Sequence, residues 1–347
     1  MEISSLATES VLLSLDHGSK VGEVRRLATS MASRLGFDEQ DQGRVALVLT
    51  EAANNAVLHG GGGEIVLRAF HGSSPGIEAI IADRGPGMAD VGRALRDGYS
   101  TAGTPGSGLG AVVRLSNKFD IYSAAGSGTV LLVQVCSRAA VSSSDSNGRL
   151  DSGAVCLPRA GETDCGDAWA MGRSGDQHIL IVADGLGHGP DAAKAARQAI
   201  TTFHSRLTLP PADLLAEIHL ALRSTRGAAV AVAALDPIRR EVRYAGVGNI
   251  AGAVVTADET RSMVSHNGTV GHETRKIQEF TYGWPPGALV IMHSDGLQTQ
   301  WRLDRYPGLV TRAPAVIAGL LYRDFSRGRD DVTVAAVREA GRKEQRR

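Results

Sequence analysis

Two stretches of this chain end an apolar run in aspartate and then surround the carboxylate with glycine. One is IVADGLGHGPD (181–191) and the other is IIADRGPGM (80–88). Asp184-Gly185 in the first has counterparts further along. ALVIMHSDGL (288–297) ends in Asp295-Gly296, GRDDVTVAAV (328–337) places Asp330 and Asp331 before an apolar run, and GETDCGDAWA (161–170) places Asp167 at the start of another. A single Asp-Gly is an ordinary turn dipeptide. Several of them, each at the boundary of an apolar strand, read as one site. The expectation is that they converge at one edge of a sheet, with Asp167 opening the first strand of that half. Oxygen-only clusters suit Mg²⁺ or Mn²⁺. Carboxylates sharing a site repel one another unless cations neutralise them. Two such ions can clamp a phosphate for in-line attack.

The earlier stretch belongs to a different constellation. In LTEAANNAVLHG (49–60), Glu51, Asn55 and His59 are four apart and share one helix face. An asparagine amide oxygen is a hard ligand suited to Mg²⁺ bridging to phosphate. A carboxylate one turn away can act as a base toward a hydroxyl or a water. Asp83 ends its strand where it could accept from an exocyclic amine, and Gly85 and Gly87 hold no side chain against a flat base. TPGSGLGAVVRLSNKF (104–119) then places Gly106, Gly108 and Gly110 ahead of a helix, an arrangement that can cradle an anion. His59 reads as a helix-face residue with no assigned role.

The elements that must position these groups fall into two halves. The stretch RAAVSSSDSNGRLDSG (138–153) is Ser-rich and lacks periodicity, as a linker does. The expected organisation is a first domain at 1–137, a linker at 138–151, a second domain at 152–338 and a basic tail at 339–347. Before the linker, 42–60 has helical spacing, and EIVLRAF, GIEAIIAD and GTVLLVQVC read as strands. After it, DAWAMGR, QHILIVAD, GAAVAVAALD, EVRYAGVG, ALVIMHSD and DDVTVAAVR read as strands, with helices at 191–207 and 211–225. No fixed-period repeat is present. Both halves read as α+β layers, a sheet covered by helices.

Composition narrows the function. Lys+Arg and Asp+Glu both total 37 in 347 residues, a formal net charge of +0, which argues against a nucleic-acid or membrane-surface binder. Cys136, Cys156 and Cys165 form no C-x-x-C pair and their number is odd, so a reducing cytoplasm is expected, and Cys165 reads as packing. The first ten residues do not resemble a signal peptide. No apolar run approaches the ~18 residues of a membrane span.

In their order and spacing, the motifs of the first half resemble the gyrase/Hsp90/histidine-kinase-like ATPases. DRGPGMADVGRALRDGYSTAGTPGSGLGAVVRLSNKFDIYS (83–123) is similar to the RsbT-type switch serine kinases of bacterial stress signalling. The resemblance implies a Bergerat-type α/β sandwich binding ATP, with Mg²⁺ on Asn55, Glu51 as base and Asp83 on adenine. In the second half, ADGLGHGPDAAKAA (183–196) and YAGVGNI (244–250) resemble the SpoIIE and RsbX branch of the protein phosphatase 2C class. That resemblance implies an α-β-β-α sandwich with two Mn²⁺ or Mg²⁺ ions. Asp184 would bridge the ions, the Gly185 carbonyl would ligate one, and Asp295 and Asp330 the other. Asp167 would act through water, and Asp331 would stand behind the ligands. His188 is a general acid or a turn residue.

Together the resemblances imply a cytoplasmic partner-switching regulator. Its phosphatase would act on phosphoserine or phosphothreonine of a STAS-type antagonist protein. The first half is either a serine kinase acting on such partners or a non-catalytic module that senses ATP or holds a partner.

Overall fold

The computed structural model describes residues 10–70, 74–95, 108–138 and 150–340. The chain divides into one compact unit over Thr8–Ser144 and a second that contains Asp145–Arg347. Gly106, most of the Ser-rich stretch and most of the basic tail lie outside the described residues.

The first unit runs β1 (Ser10–Ser14), α1 (Gly18–Arg34), α2 (Glu39–His59), β2 (Glu64–Phe70), β3 (Gly76–Asp83), α3 (Val91–Ala94), α4 (Gly108–Leu115), β4 (Lys118–Ser123) and β5 (Thr129–Cys136). Its antiparallel sheet has the order β1-β2-β3-β5-β4. The Asp38 carboxylate accepts the Asp41 backbone N–H at 2.7 Å and caps α2, whose first turn is acidic as the helix dipole favours. Val45, Val48, Leu49, Ala52, Ala53 and Ala56 bury one stripe of α2. They share a core with Val24, Ala28 and Met31 of α1 and with Ile65, Leu67, Ile77 and Ile81 of the sheet. That stripe fixes the rotation of α2 and therefore where Glu51 and Asn55 lie.

The second unit runs β6 (Leu150–Leu157), β7 (Asp167–Ser174), β8 (Gln177–Gly185), α5 (Pro190–Ser205), α6 (Pro211–Ala221), β9 (Ala228–Asp236), β10 (Glu241–Val247), β11 (Ala251–Val255), β12 (Thr260–Met263), β13 (Phe280–Gly283), β14 (Leu289–His293), α7 (Pro314–Phe325) and β15 (Val332–Glu339). One sheet has the order β13-β10-β9-β8-β7 and the other β12-β11-β14-β15-β6. Every pairing in both is antiparallel. Leu180, Val182, Ala231 and Tyr244 of the first sheet share a core with Val254, Val290, Met292 and Val337 of the second. Helices α5 and α6 cover the outer face of the first sheet through Ala196, Ala199, Phe203, Leu214 and Ile218. Helix α7 packs on β6 and β15 of the second. The layers are therefore α-β-β-α, as the resemblance implied.

Three details differ from the sequence reading. Strand β6 starts at Leu150, inside the stretch read as linker, because Leu150–Leu157 pairs residue by residue with β15. The strand that Asp167 opens is consequently the second of its half. The acidic strand ends also do not share one sheet. Asp167 and Asp184 belong to one sheet, Asp295 and Asp330 to the other. Among the described residues no helix is long and apolar enough to cross a membrane.

Candidate active sites

In the first unit, Glu51 and Asn55 meet the start of α4. A Cβ at Gly108 would lie 2.7 Å from Glu51 Oε2 and 3.9 Å from Asn55 Oδ1, so the start of α4 sits directly against both side chains. Asn55 Nδ2 is buried without a hydrogen-bond partner. An unpaired buried amide is costly and is expected where a ligand completes it. Asp83, buried at the end of β3, accepts the backbone N–H of Gly85 at 2.9 Å and of Thr129 at 3.2 Å. Gly60, which caps α2, lies so close that a Cβ there would sit 2.6 Å from Asp83 Cγ. One helix therefore touches the Asp83 loop with its last turn and α4 with its middle. Gly87 has φ +65° and a Cβ there would lie 2.1 Å from the Ala124 carbonyl oxygen, so the loop holds its course only with glycine. Gly110 is buried within α4. His59 is exposed at the end of α2, away from any assigned role.

The second unit gathers its carboxylates from two sheets. Asp167 and Asp184 face each other in the register of β7 and β8. Asp295 follows β14, and Asp330 and Asp331 precede β15, its neighbour. Burial pushes the Asp167 carboxyl up to about 7; a hydrogen bond from Ser294 opposes the shift, and the charge of Asp331 adds to it. Burial pushes Asp184 up to about 9, with Asp167, Asp295, Asp330 and Asp331 all adding repulsion. Asp331 also lies above the ordinary carboxylate range, through burial. Asp167 Oδ1 and Asp331 Oδ2 are buried acceptors without a hydrogen-bond partner. Mutually repelling carboxylates with orphaned oxygens fit hard divalent cations. Among the described residues, no three acidic, histidine or cysteine side chains close to a finished ligand set.

Close packing holds this cluster in place. A Cβ at Gly185 would lie 2.1 Å from the Ala192 carbonyl oxygen, so the alanine-rich face of α5 settles directly on the end of β8. Gly189, at φ +75°, precedes Pro190 at the first turn of α5 and turns the chain into that helix. A Cβ at Gly296 would lie 1.9 Å from the Asp331 carbonyl oxygen, which locks the Asp295 turn against the start of β15.

Several partners escape a reading by motif. Ser294 Oγ donates to Asp167 Oδ2 at 2.6 Å and accepts the Thr333 N–H at 2.9 Å, tying the two sheets at the cluster. Asn249 Nδ2 donates to Asp295 Oδ2 at 2.6 Å. The Arg159 N–H donates to Asp331 Oδ1 at 2.8 Å. His188 Nδ1 lies 2.9 Å from Glu162 Oε1 on the exposed rim. Asn249 stands in YAGVGNI, so the motif was visible while the contact was not. Ser294 directly precedes Asp295, and only the fold turns it toward Asp167. Cys165 is held protonated by a hydrogen bond with Cys156 and by burial.

Comparison with known proteins agrees with this architecture. Residues 15–135 match the histidine kinase-like ATPase domain family, and residues 174–339 match the stage II sporulation protein E (SpoIIE) family. The serine/threonine-protein kinase RsbT of Bacillus subtilis is 38% identical over 106 residues, covering 30% of this chain and 80% of that kinase. The phosphoserine phosphatase RsbX of the same organism is 24% identical over 142 residues, covering 41% of this chain and 71% of RsbX. Among solved structures, a chain from the bacterial stressosome is 30% identical over 55% of this chain and 100% of its own length, with a TM-score of 0.52. RsbX in complex with magnesium shares the fold at 20% identity over 55% of this chain and 96% of its own, with a TM-score of 0.50. The class is thus a histidine-kinase-like ATPase domain joined to a protein phosphatase 2C-like domain. The chain belongs to the RsbT family through its first unit, and its second unit matches the SpoIIE family and is similar to RsbX.

Proposed function

We propose that the second unit removes phosphate from serine or threonine of a STAS-type antagonist protein in the cytoplasm. We further propose that the first unit binds ATP with Mg²⁺ and phosphorylates the same or a related partner. The observation that carries the first proposal is the carboxylate cluster, in which burial and like charge raise Asp167 and Asp184 while oxygens of Asp167 and Asp331 stay unpaired. Asp184 would hold two Mn²⁺ or Mg²⁺ ions, the Gly185 carbonyl one of them, and Asp295 and Asp330 the other. Such ions neutralise the cluster, polarise a phosphate ester and lower the pKa of a water. Asp167, aimed by Ser294, would position water beside them. Asn249 would keep Asp295 turned inward. A first domain near 1–137, a linker that ends where β6 begins at Leu150, and a second domain through the end of β15 at Glu339 belong to the same reading.

In the first unit, Asn55 would hold Mg²⁺ through its amide oxygen and Asp83 would take the adenine amine beside Gly85 and Gly87. Gly106, Gly108 and Gly110 would cradle phosphate. Glu51 would accept the proton of the attacking serine hydroxyl. The approach of Glu51 and Asn55 to Gly108 supports this assignment.

The test is hydrolysis of p-nitrophenyl phosphate by the full chain with Mn²⁺ or with chelator, beside Asp184→Asn. Metal-dependent turnover that disappears in the variant is the expected result. Turnover that persists in Asp184→Asn, or that ignores chelator, overturns the two-metal reading. Phosphotransfer from ATP to a STAS protein is the matching test of the first unit. If ATP binds and no phosphate moves, the unit is a sensing or partner-holding module.

A further inference from the structure

Cys156 and Cys165 lie with their sulfurs 3.8 Å apart, both half-buried and both free thiols. Cys156 stands on β6, directly opposite Thr333 of β15. Its sulfur also lies 3.7 Å from the Asp167 carbonyl oxygen. Cys165 stands two residues before Asp167, and the intervening Gly166 is wedged into the carboxylate cluster. The Gly166 carbonyl accepts the Gly185 N–H at 2.9 Å, and a Cβ at Gly166 would lie 2.5 Å from Asp331 Oδ2.

We propose that Cys156 and Cys165 form a redox-modifiable pair, closed to a disulfide by a hydroperoxide. The Cys156 sulfur gives up its proton, attacks the peroxide O–O bond, becomes a sulfenic acid and releases water or an alcohol. The Cys165 sulfur then attacks the sulfenic sulfur, its proton passing to the departing oxygen, and expels water. Two thiols are oxidised, one O–O bond is reduced and the atoms balance. A disulfide needs the sulfurs at about 2.05 Å. The gap must therefore shrink by well over an ångström. Strand β6 is anchored in the sheet by its full register with β15, so the segment around Cys165 makes most of that movement. That movement pulls on Gly166 and Asp167, which the Gly185 N–H to Gly166 carbonyl bond and the Ser294 bond to Asp167 hold in place, and strains both bonds. Oxidation would thus weaken cation binding at the cluster. This consequence rests on the metal reading above; the cross-link itself does not.

The test exposes the full chain to hydrogen peroxide and digests it with trypsin without reductant. The expected product joins peptides 150–159 and 160–173, two hydrogens lighter than their sum, while the three free thiols of the chain fall to one. The link disappears with dithiothreitol and in Cys156→Ser or Cys165→Ser, and persists in Cys136→Ser. Separate peptides carrying free thiols, sulfinic acid or sulfonic acid would overturn the proposal. Mn²⁺ titration of the reduced and oxidised protein reads the consequence. Affinity should fall about tenfold on oxidation, the scale of disturbing a group behind the ligands, and Cys165→Ser should be indifferent to peroxide. Equal affinity in both states would overturn the regulatory part. Absence of Mn²⁺ binding in the reduced protein would overturn the metal reading and leave the cross-link to be judged by its peptides.

Discussion

Asp83 and Asp184 each close a strand in the interior of a five-stranded sheet, and each is followed within two residues by glycine. Around Asp83 the protein supplies donors, the N–H groups of Gly85 and Thr129, together with the backbone of Gly60. Around Asp184 it supplies four further carboxylates, and burial raises the pKa to about 9. The same local device, an aspartate at a strand tip with glycine behind it, therefore serves opposite electrostatic settings. A carboxylate among amides is prepared to accept a hydrogen bond from a neutral group. A carboxylate among carboxylates is prepared for a cation, since only positive charge relieves the repulsion.

The sharpest way to separate the two settings is to remove each acid alone. Asp184→Asn should lower metal-dependent phosphatase turnover by about 1,000-fold or more, the several kcal/mol expected of a metal-clamping ligand. ATP binding, measured by calorimetry, should be unchanged. Loss of both properties together would break the view of two independent sites.

Glu51→Ala tests the first site from the other direction. Phosphotransfer to a partner should drop by about 100-fold or more, as for loss of a general base, while nucleotide affinity stays within about twofold.

The pH response should differ between the sites as well. Asp167 and Asp184, raised to about 7 and about 9, contribute their full stability only below the unfolded carboxylate pKa near 4. In chelator, stability should fall as pH rises from about 4 and level off above the raised values, because the unfolded chain ionises from about 4 while the folded protein resists ionisation. Added Mn²⁺ should restore melting temperature by an amount that grows from pH 6 to pH 9. Asp184→Asn should flatten the slope in chelator. A pH-independent Mn²⁺ effect would contradict the shared-charge account.

Two smaller changes refine the picture. Asn249→Ala should weaken Mn²⁺ affinity by about tenfold without loss of fold, since it frees Asp295 rather than removing it. Gly87→Ala forces a side chain into a left-handed turn and against the Ala124 carbonyl, and should cost about 1–3 kcal/mol of stability in denaturant titration. Its effect on Mn²⁺ binding should be nil.

Legibility varied with the kind of signal. Strands β2, β3, β8 and β9 were readable because long apolar runs end in polar or glycine punctuation. Helix α7 was not, because every residue of Pro314–Leu321 is buried and leaves no polar face to set a period. Strand β6 was hidden since LDSGAV carries a polar, glycine-containing start, and its identity as a strand comes from pairing with β15. The split of the acidic strand ends over two sheets was invisible for the same reason: strand order within sheets is a matter of long-range pairing.

The sequence alone determined the residue types and local turns: the tips at Asp83, Asp184 and Asp295, the Glu51/Asn55 helix face and the glycines that permit close approach. These follow from short-range sterics and periodicity, which any few consecutive residues carry. Tertiary structure alone decided which carboxylates share a charge environment, and that Ser294 serves Asp167 and Asn249 serves Asp295. It also decided that Cys156 meets Cys165. Those relations depend on packing two sheets face to face, and burial and Coulomb repulsion act through space rather than along the chain.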